Sequence, residues 1–456
     1  MLKKLTFIFF TFLAVFGFSQ NKQVLYDFAE LPQTLLSNPG SAINYEKHVG
    51  VPFVSGISAQ IGSTEFVLSD IFVADNVDIN TKLNNLLEKL DERDHIAIHK
   101  QIEILSAGFR FKDKNYISFG FYQELDAIGY IPKDLLVLAT EGNAPYLNRS
   151  FNASQILYKA DALGVIHAGV SRQVNQKLTI GGRFKIYSSA ANVESTNNTG
   201  SFTTNLGNNN IYVHRLQNVN LNFRTSGIIE DDKFITDPAT YLGNTFLGGN
   251  LGVGLDFGFT YKVNSQLQVS GSLVDFGFIN YNKNVKTNSV KGNFIFEGIG
   301  FQFNSENEND WDNLDEAFKE QLPSFENETS YISWRPTKFN AAIKYSFGEK
   351  RSKYCYDNTY KDFYTDGFGL QLFSIFRPLT QQLALTGFYE KSITNKLHTK
   401  ITYTIDDYSR TNIGVGLSAQ IWKVNFYGIL DNLAALGDVS SAKNISAQFG
   451  FNLIFN

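Results

Sequence analysis

Cysteine, methionine and proline are scarce in this chain of 456 residues, which contains 1 Cys, 1 Met and 9 Pro. The single cysteine, Cys355, cannot form an internal disulfide, so crosslinks do not stabilise the fold. Beyond residue 20, no stretch approaches the roughly 18 to 20 apolar residues of a membrane-spanning helix. The balance of 40 Lys+Arg against 44 Asp+Glu gives a formal charge of -4, which excludes the basic surface that nucleic acid requires.

The first twenty residues, "MLKKLTFIFFTFLAVFGFSQ", have the organisation of a secretory signal peptide. Two lysines precede an apolar run over 8–18 that is too short to cross a bilayer, and a small, polar pair follows it. We therefore predict export and removal of residues 1–20, the alternative being a core helix. No cysteine stands directly after this leader to carry a lipid. Residues 21–50 are interpreted as a periplasmic N-terminal segment, and residues 51–456 as the main domain.

Aromatic residues and glycine are abundant, with 41 Phe, 22 Tyr and 36 Gly, and apolar residues alternate with small or polar ones. In "LGVGLDFGFTYK", Leu251, Val253 and Leu255 share one face of a strand, and Gly252 and Gly254 lie on the other. A soluble sandwich also alternates, but its outer faces are charged. The Gly-, Ser-, Asn- and Gln-rich second face instead favours a closed membrane barrel, which exposes every second side chain to lipid.

The last residues, "NISAQFGFNLIFN", form a complete alternating strand with Phe449, Phe451 and Phe455 on its apolar face. A barrel closes by pairing its last strand with its first, and a terminal aromatic ring suits the membrane interface. This end is similar to the C-terminal signal that the barrel-insertion machinery recognises in bacterial outer-membrane barrels. An edge strand of a soluble sheet is the alternative.

The predicted fold class is therefore all-β, a transmembrane antiparallel β-barrel of about fourteen strands with long, partly helical extracellular loops. Twelve or sixteen strands remain possible. The expected strands lie near 51–61, 101–112, 115–125, 155–173, 177–190, 246–262, 266–280, 335–347, 367–376, 381–391, 396–405, 411–421, 424–431 and 444–455.

Four long excursions are expected on the side opposite the tight turns, at 62–100, 126–154, 191–245 and 281–334. Helical spacing of apolar residues predicts helices at 79–93 and 309–322. These helices either pack on their own loops or provide a partner surface or lid.

The alternation places a set of polar residues on the side away from lipid: Arg183, Lys185, Asp256, Lys344, His398 and Lys400, with Gln371, Gln420 and Gln448. An open lumen with this excess of cations would select anions. A filled lumen would instead pair these charges. We expect the filled lumen, because the glycine faces at Gly252, Gly254, Gly414 and Gly416 allow close approach of other segments, which the long loops could supply.

No catalytic, cofactor or metal site is predicted, and the protein is interpreted as non-enzymatic. His95 and His99 are four residues apart but lack the Glu and the third ligand of a zinc protease helix, so they are interpreted as exposed loop histidines. The glycine-rich "GGNLGVG" lies in a strand pattern with no helix after it, which argues against phosphate binding.

Four stretches, "ELPQTLLSNPGSAINYEKHVGVP", "GVSRQVNQKLTIGGRFKIY", "SGSLVDFGFINYN" and "LDNLAALGDV", carry a resemblance to a known family. The chain resembles an uncharacterised outer-membrane barrel family of Bacteroidota. It is distantly similar to barrels that accompany gliding motility and type IX secretion, and more distantly to long-chain fatty-acid transporter barrels. No hydrophobic plug of the transporter kind is visible before Val51.

The resemblance and the excess of loop imply a non-enzymatic barrel of the bacterial cell outer membrane. The first hypothesis is a subunit or docking partner of an assembly, secretion or motility machine, with outer-membrane or periplasmic proteins as possible partners. The alternative is a channel or transporter for small or hydrophobic solutes. The other expected partners are outer-membrane lipid, lipopolysaccharide and the barrel-insertion machinery. Nucleic acid is not expected as a partner.

Overall fold

A computed structural model describes residues 23–28, 31–208, 211–230, 233–297, 318–349, 364–433 and 437–455. The predicted signal peptide, residues 1–20, lies outside the described residues, as does Cys355. Within the part of the chain that is described, no helix combines the length and apolar character needed to span a membrane.

The fold is a closed antiparallel β-barrel of fourteen strands, which confirms the predicted fold class and strand number. Each strand pairs with the next in sequence, and the last pairs with the first, as at Ile57 and Phe449. The barrel strands are β1 (Lys47–Gly50 and Ile57–Ser63), β2 (His95–Phe111), β3 (Asn115–Tyr130), β4 (Tyr158–Gln173), β5 (Leu178–Ser195), β6 (Asn250–Lys262), β7 (Leu267–Tyr281), β8 (Tyr331–Trp334 and Lys338–Glu349), β9 (Tyr364–Phe376), β10 (Gln381–Thr394), β11 (Leu397–Asp406), β12 (Asn412–Ile421), β13 (Val424–Asp431) and β14 (Asn444–Phe455).

The alternation in sequence becomes an apolar outer surface and a polar inner one. On β6, the outward Phe257 ring is 51% exposed, whereas the neighbouring Asp256 is fully buried. Exposed apolar side chains of this kind cover the outer surface of most strands. A continuous apolar belt around a closed barrel is the surface that a bilayer requires.

The connections divide the barrel into two unequal ends. At the turn end, which also contains the end of β14, the described connections are short, at 112–114, 174–177, 263–266, 395–396 and 422–423. At the loop end the connections are 64–94, 131–157, 196–249, 282–330, 377–380, 407–411 and 432–443. The four long excursions expected from the sequence therefore all lie at one end.

The loops are partly helical, as predicted, and they also contain strands that the sequence did not indicate. The helices are α1 (Thr34–Ser37), α2 (Leu68–Phe72), α3 (Ile79–Lys89), α4 (Lys133–Thr140) and α5 (Pro238–Gly243), with single turns at Ala144–Tyr146, Ala153–Gln155, Asn244–Gly248 and Val439–Ser441. The loop strands are Ser150–Asn152, Thr199–Leu206, Tyr212–Ser226, Ile229–Glu230, Lys233–Phe234, Val285–Phe296 and Ser324–Asn327.

Of the two helices predicted in the loops, the structure confirms one and describes only the end of the other. The helix predicted at 79–93 is present as α3, and Leu86 and Leu87 pack with Val137 of α4. The helix predicted at 309–322 falls largely outside the described residues, of which 318–321 are helical.

The first strand is interrupted where residues 51–56 leave the regular ladder. Phe53 adopts a φ of 66° in this bulge and is exposed, whereas Ser55 is buried. The wall stays hydrogen-bonded across the bulge, because the Phe451 amide donates to Val54 O at 2.9 Å and the Glu103 amide donates to Gly56 O at 2.8 Å. The bulge therefore leaves the seam of the barrel closed.

The N-terminal segment lies inside the barrel, which corrects the expectation from the sequence. Residues 21–50 were interpreted as a periplasmic segment with no plug, but the described residues 23–28 and 31–46, hereafter the lumen segment, occupy the lumen near the turn end. Val24, Leu25, Phe28 and Leu31 pack there with Tyr427 and Ile429 of β13. Their spacing fits no regular strand or long helix, so the sequence pattern did not reveal a plug.

Candidate functional site

Gln33 binds the lumen segment to both sides of the barrel seam. Its Nε2 atom lies 2.9 Å from Glu103 Oε2 of β2, 3.0 Å from Asn452 Oδ1 of β14 and 3.0 Å from Ser55 O in the β1 bulge. Asn452 Nδ2 donates in return to Gln33 Oε1 at 3.0 Å. One amide side chain therefore connects the segment to three parts of the wall.

Cations of the wall bind carbonyl groups of the same segment. Lys400 Nζ of β11 donates to Tyr26 O at 2.6 Å, and Arg183 Nη2 of β5 donates to Leu35 O at 2.6 Å. A further hydrogen bond, 3.1 Å long, joins the Tyr26 hydroxyl to Ser270 Oγ of β7. Because these partners come from separate strands, the segment is fixed across the whole width of the lumen.

Glycines of the inner wall provide the space that the segment fills. A Cβ atom at Gly181 would lie 1.9 Å from Pro39 O, and one at Gly416 would lie 2.7 Å from Val24 Cγ1. A Cβ atom at Gly414 would likewise lie 2.8 Å from Val24 Cγ2. Two of the glycines singled out in the sequence thus face the lumen segment, not a loop. The other two face the wall itself: Gly254 lies beside the Tyr187 ring, and Gly252 lies against the backbone of β7 at Phe278.

Three of the candidate lumen residues form one buried ion-pair cluster. Asp256 Oδ2 lies 2.9 Å from Lys185 Nζ and 3.4 Å from Arg183 Nη1. Lys185 also contacts Asp275 at 2.6 Å, and Asp275 contacts Lys338 at 3.0 Å. Charges removed from water are tolerated when they are paired in this way.

Lys344 and His398 lie outside this cluster but also have polar partners. Lys344 Nζ contacts Asp27 of the lumen segment at 2.8 Å and Glu390 at 3.1 Å. His398 is half-buried, and its Nδ1 atom lies 2.9 Å from Ser392 Oγ. The candidate cations therefore have acidic, carbonyl or hydroxyl partners, as a filled lumen requires.

His95 and His99 are not exposed loop residues, because β2 begins at His95 and places both rings in the lumen. His99, Glu124 and Asp126 place ligand-type atoms within 4.8 Å of one another. Arg335 binds Glu124 and Arg377 binds Asp126, so the negative charge that a metal ion would need is already neutralised. The group is better described as part of an ion-pair network than as a metal site.

A group of buried polar atoms near β11 to β14 has no hydrogen-bond partner in the described part of the chain. It includes Thr402 Oγ1, Asp431 Oδ1 and both amide atoms of Asn412 and Asn444. Buried polar groups without protein partners are normally satisfied by water. This side of the lumen is therefore the place where water would lie between the lumen segment and the wall.

The residues of the expected C-terminal signal lie on β14 at the seam. Phe449 and Phe451 are exposed on the outer surface, and the Phe455 ring lies 5.0 Å from Lys423 Nζ at the turn end. β14 pairs with β13 on one side and with both parts of β1 on the other.

The sequence was compared with models of known protein families. A model of a family of unknown function, DUF5723, matches residues 39–431, and the chain belongs to that family. No curated protein matches the sequence.

The chain also resembles several solved structures, all at very low sequence identity. The Pseudomonas putida toluene transporter TodX is 9% identical, with coverage of 96% of this chain and 98% of that chain and a TM-score of 0.37. A Pseudomonas aeruginosa FadL homologue is 8% identical, with coverage of 96% and 97% and a TM-score of 0.42. The translocator domain of the autotransporter NalP from Neisseria meningitidis is 8% identical, with coverage of 92% and 92% and a TM-score of 0.34. At this level of similarity, these barrels identify no substrate for the present chain.

Proposed function

We propose that this protein is a barrel of the bacterial outer membrane that passes a small or hydrophobic solute, and that its lumen segment closes it at rest. The proposal adopts the alternative considered from the sequence. The observation that carries it is the way in which the lumen is filled.

The filling is a separate chain segment and not part of the wall. A barrel of about eight strands is filled by its own side chains, whereas one of about 16 to 18 strands leaves an aqueous channel. With fourteen strands, this barrel needs the lumen segment to occupy the space. All fourteen wall pairings are made between strands, so displacement of the segment would leave the ladder intact.

The contacts of the segment also suit reversible closure. They are mostly hydrogen bonds, such as those of Gln33 and Lys400, and glycine-lined surfaces such as Gly181 and Gly416. Water on the β11 to β14 side would replace such hydrogen bonds when the segment moves, which lowers the cost of opening.

Deletion of residues 21–41 tests the proposal. In planar lipid bilayers the intact protein should be closed for most of the time, and the deletion should give steady conductance and admit small solutes into vesicles. Heat-modifiability on a gel checks that the shortened barrel has folded. A folded deletion protein that neither conducts nor admits solute would contradict the proposal.

A docking role, the first hypothesis from the sequence, has one supporting observation of its own. The long loops fold into ordered layers beyond the barrel, with a small core around Leu86, Val137 and Phe151 and another around Val219 and Phe294. Loops that only cover a barrel mouth do not require cores. Stoichiometric co-purification of a protein partner, lost when the tips of these loops are shortened, would favour docking over solute passage.

A further inference from the structure

The barrel wall has a cavity of 560 Å³ between β7, β8 and β9, close to the loop end. It forms where β8 is interrupted at residues 335–337, which include Pro336. Tyr331–Trp334 pairs with β7 alone, and the pairing of β8 with β9 begins only at Lys338 and Ile375. Because β9 ends at Phe376, the wall has a gap above that residue.

The outer margin of the cavity is apolar and faces the bilayer. Phe276, Trp334 and Phe376 line it, and all three are exposed on the outer surface of the barrel. Trp334 lies on the part of β8 nearest the loop end, and tryptophan side chains are enriched at the level of the lipid headgroups. A ligand entering here would therefore come from the membrane.

The inner part of the cavity is lined by cations. Arg335, Arg377 and Lys159 contribute to it, and no acidic residue is among the described residues that line it. The carboxylates of Glu124, Asp126 and Asp161 bind the Nη atoms of the two arginines within the lumen. The arginines of these ion pairs line the cavity, and their carboxylate partners do not.

The two arginines also retain unused donors. Arg335 is 4% exposed and Arg377 is 9% exposed, and the Nε atom of each has no hydrogen-bond partner among the described residues. A buried guanidinium donor without a partner is costly, and phosphate oxygens are among the acceptors that it binds best. The neighbouring Lys159 Nζ donates to Trp334 O at 2.7 Å and to Ser333 Oγ at 2.6 Å. Its carboxylate partner, Glu194, is more distant at 3.7 Å, so Lys159 adds a second kind of cation at the same margin.

From this arrangement we propose that the cavity binds the phosphate headgroup of a membrane lipid, with the acyl chains along Phe276, Trp334 and Phe376. Free phosphate would satisfy the guanidinium donors but would leave the apolar margin uncovered. The volume lies within the usual range of about 300 to 1,000 Å³ for small-molecule sites. The inference does not depend on whether the lumen opens.

Delipidated protein in a neutral detergent can be titrated with three probes: dioctanoyl phosphatidic acid, dioctanoylglycerol and inorganic phosphate. The measurement is the midpoint temperature of the heat-modifiability transition. Phosphatidic acid should raise the midpoint in a saturable way, and the other two should not. An equal shift with inorganic phosphate would indicate a free-anion site, and an equal shift with dioctanoylglycerol an apolar groove; either would overturn the proposal, as would the absence of saturation.

A variant that fills the cavity supplies the second arm of the test. Thr337→Trp should weaken the apparent affinity for phosphatidic acid at least about tenfold, since a bulky ring would occupy the headgroup space. Leu417→Trp, at an exposed outer position of β12, is the matched control and should bind as the wild type does. If Thr337→Trp fails to accumulate, Phe276→Ala removes part of the margin without touching the ion pairs and should also weaken binding. Undiminished binding in the cavity variant would refute the site.

Discussion

Replacement of Gln33 by leucine tests how the lumen segment is held in place. The side chain has two N–H donors near three acceptors and one accepting oxygen bound by Asn452, so at most three hydrogen bonds form at once. The bond to a charged acceptor such as Glu103 contributes about 1.5–3 kcal/mol, and each neutral bond about 0.5–1.5 kcal/mol.

The sum is about 2.5–6 kcal/mol, and the apolar contacts that leucine gains reduce it to about 2–4 kcal/mol. Since each 1.4 kcal/mol is a factor of ten, the population with a displaced segment should rise roughly 30- to 1,000-fold. The variant should therefore show frequent channel openings in planar bilayers. Hydrogen exchange at the backbone amides of residues 31–46 should accelerate by the same factor.

Gln382→Leu is the matched control for this experiment. Gln382 is a buried glutamine of the wall whose Nε2 atom contacts Tyr408 Oη at 3.0 Å and also the His95 ring, so its loss should lower stability without releasing the lumen segment. Equal opening and equal exchange in Gln33→Leu and Gln382→Leu would refute the assignment of Gln33 as the residue that holds the segment.

Three further predictions concern the wall. Deletion of residues 449–456 should abolish accumulation in the membrane fraction, because β1 would lose most of its partner strand; normal levels on an immunoblot would contradict this. Asp256→Asn should lower stability by about 3–5 kcal/mol, seen as a lower heat-modifiability midpoint, because two buried cations lose their shared carboxylate. Gly181→Val should expel the lumen segment and make an N-terminal tag sensitive to protease, whereas Gly387→Val, whose nearest neighbour would be 3.9 Å from the new Cβ, should keep the tag protected.

The ion-pair cluster shows which residues of a site the sequence pattern can predict and which it cannot. Alternation alone assigns Arg183, Lys185 and Asp256 to the inner face, and the structure places all three there, in mutual contact. It could not indicate that Asp275 completes the cluster, because Asp275 lies at an irregular position of β7 with a φ of 62°. A bulge interrupts the period of two, so the face on which a later side chain lies can no longer be predicted by counting residues along the strand.

The loop strands were missed for a related reason. Tyr212–Ser226 and Val285–Phe296 pair with each other in water and have no lipid-facing side. Their polar residues therefore occur on both faces, and the alternation that identified the barrel strands is weak. Two-sided polar strands are recognised only when a partner strand is known.

The sequence by itself determined the barrel, because lipid on one side and a crowded lumen on the other impose a period of two on every wall strand. It also indicated about fourteen strands and the end at which the long loops lie, and the structure then fixed the number at fourteen. Only the tertiary structure decided what fills the lumen. The lumen segment has no periodic pattern, and its place depends on contacts with Glu103, Lys400 and Gly181, which lie on strands that are far apart in sequence. These contacts form only when the barrel closes and brings distant strands together, so no local sequence pattern can predict them.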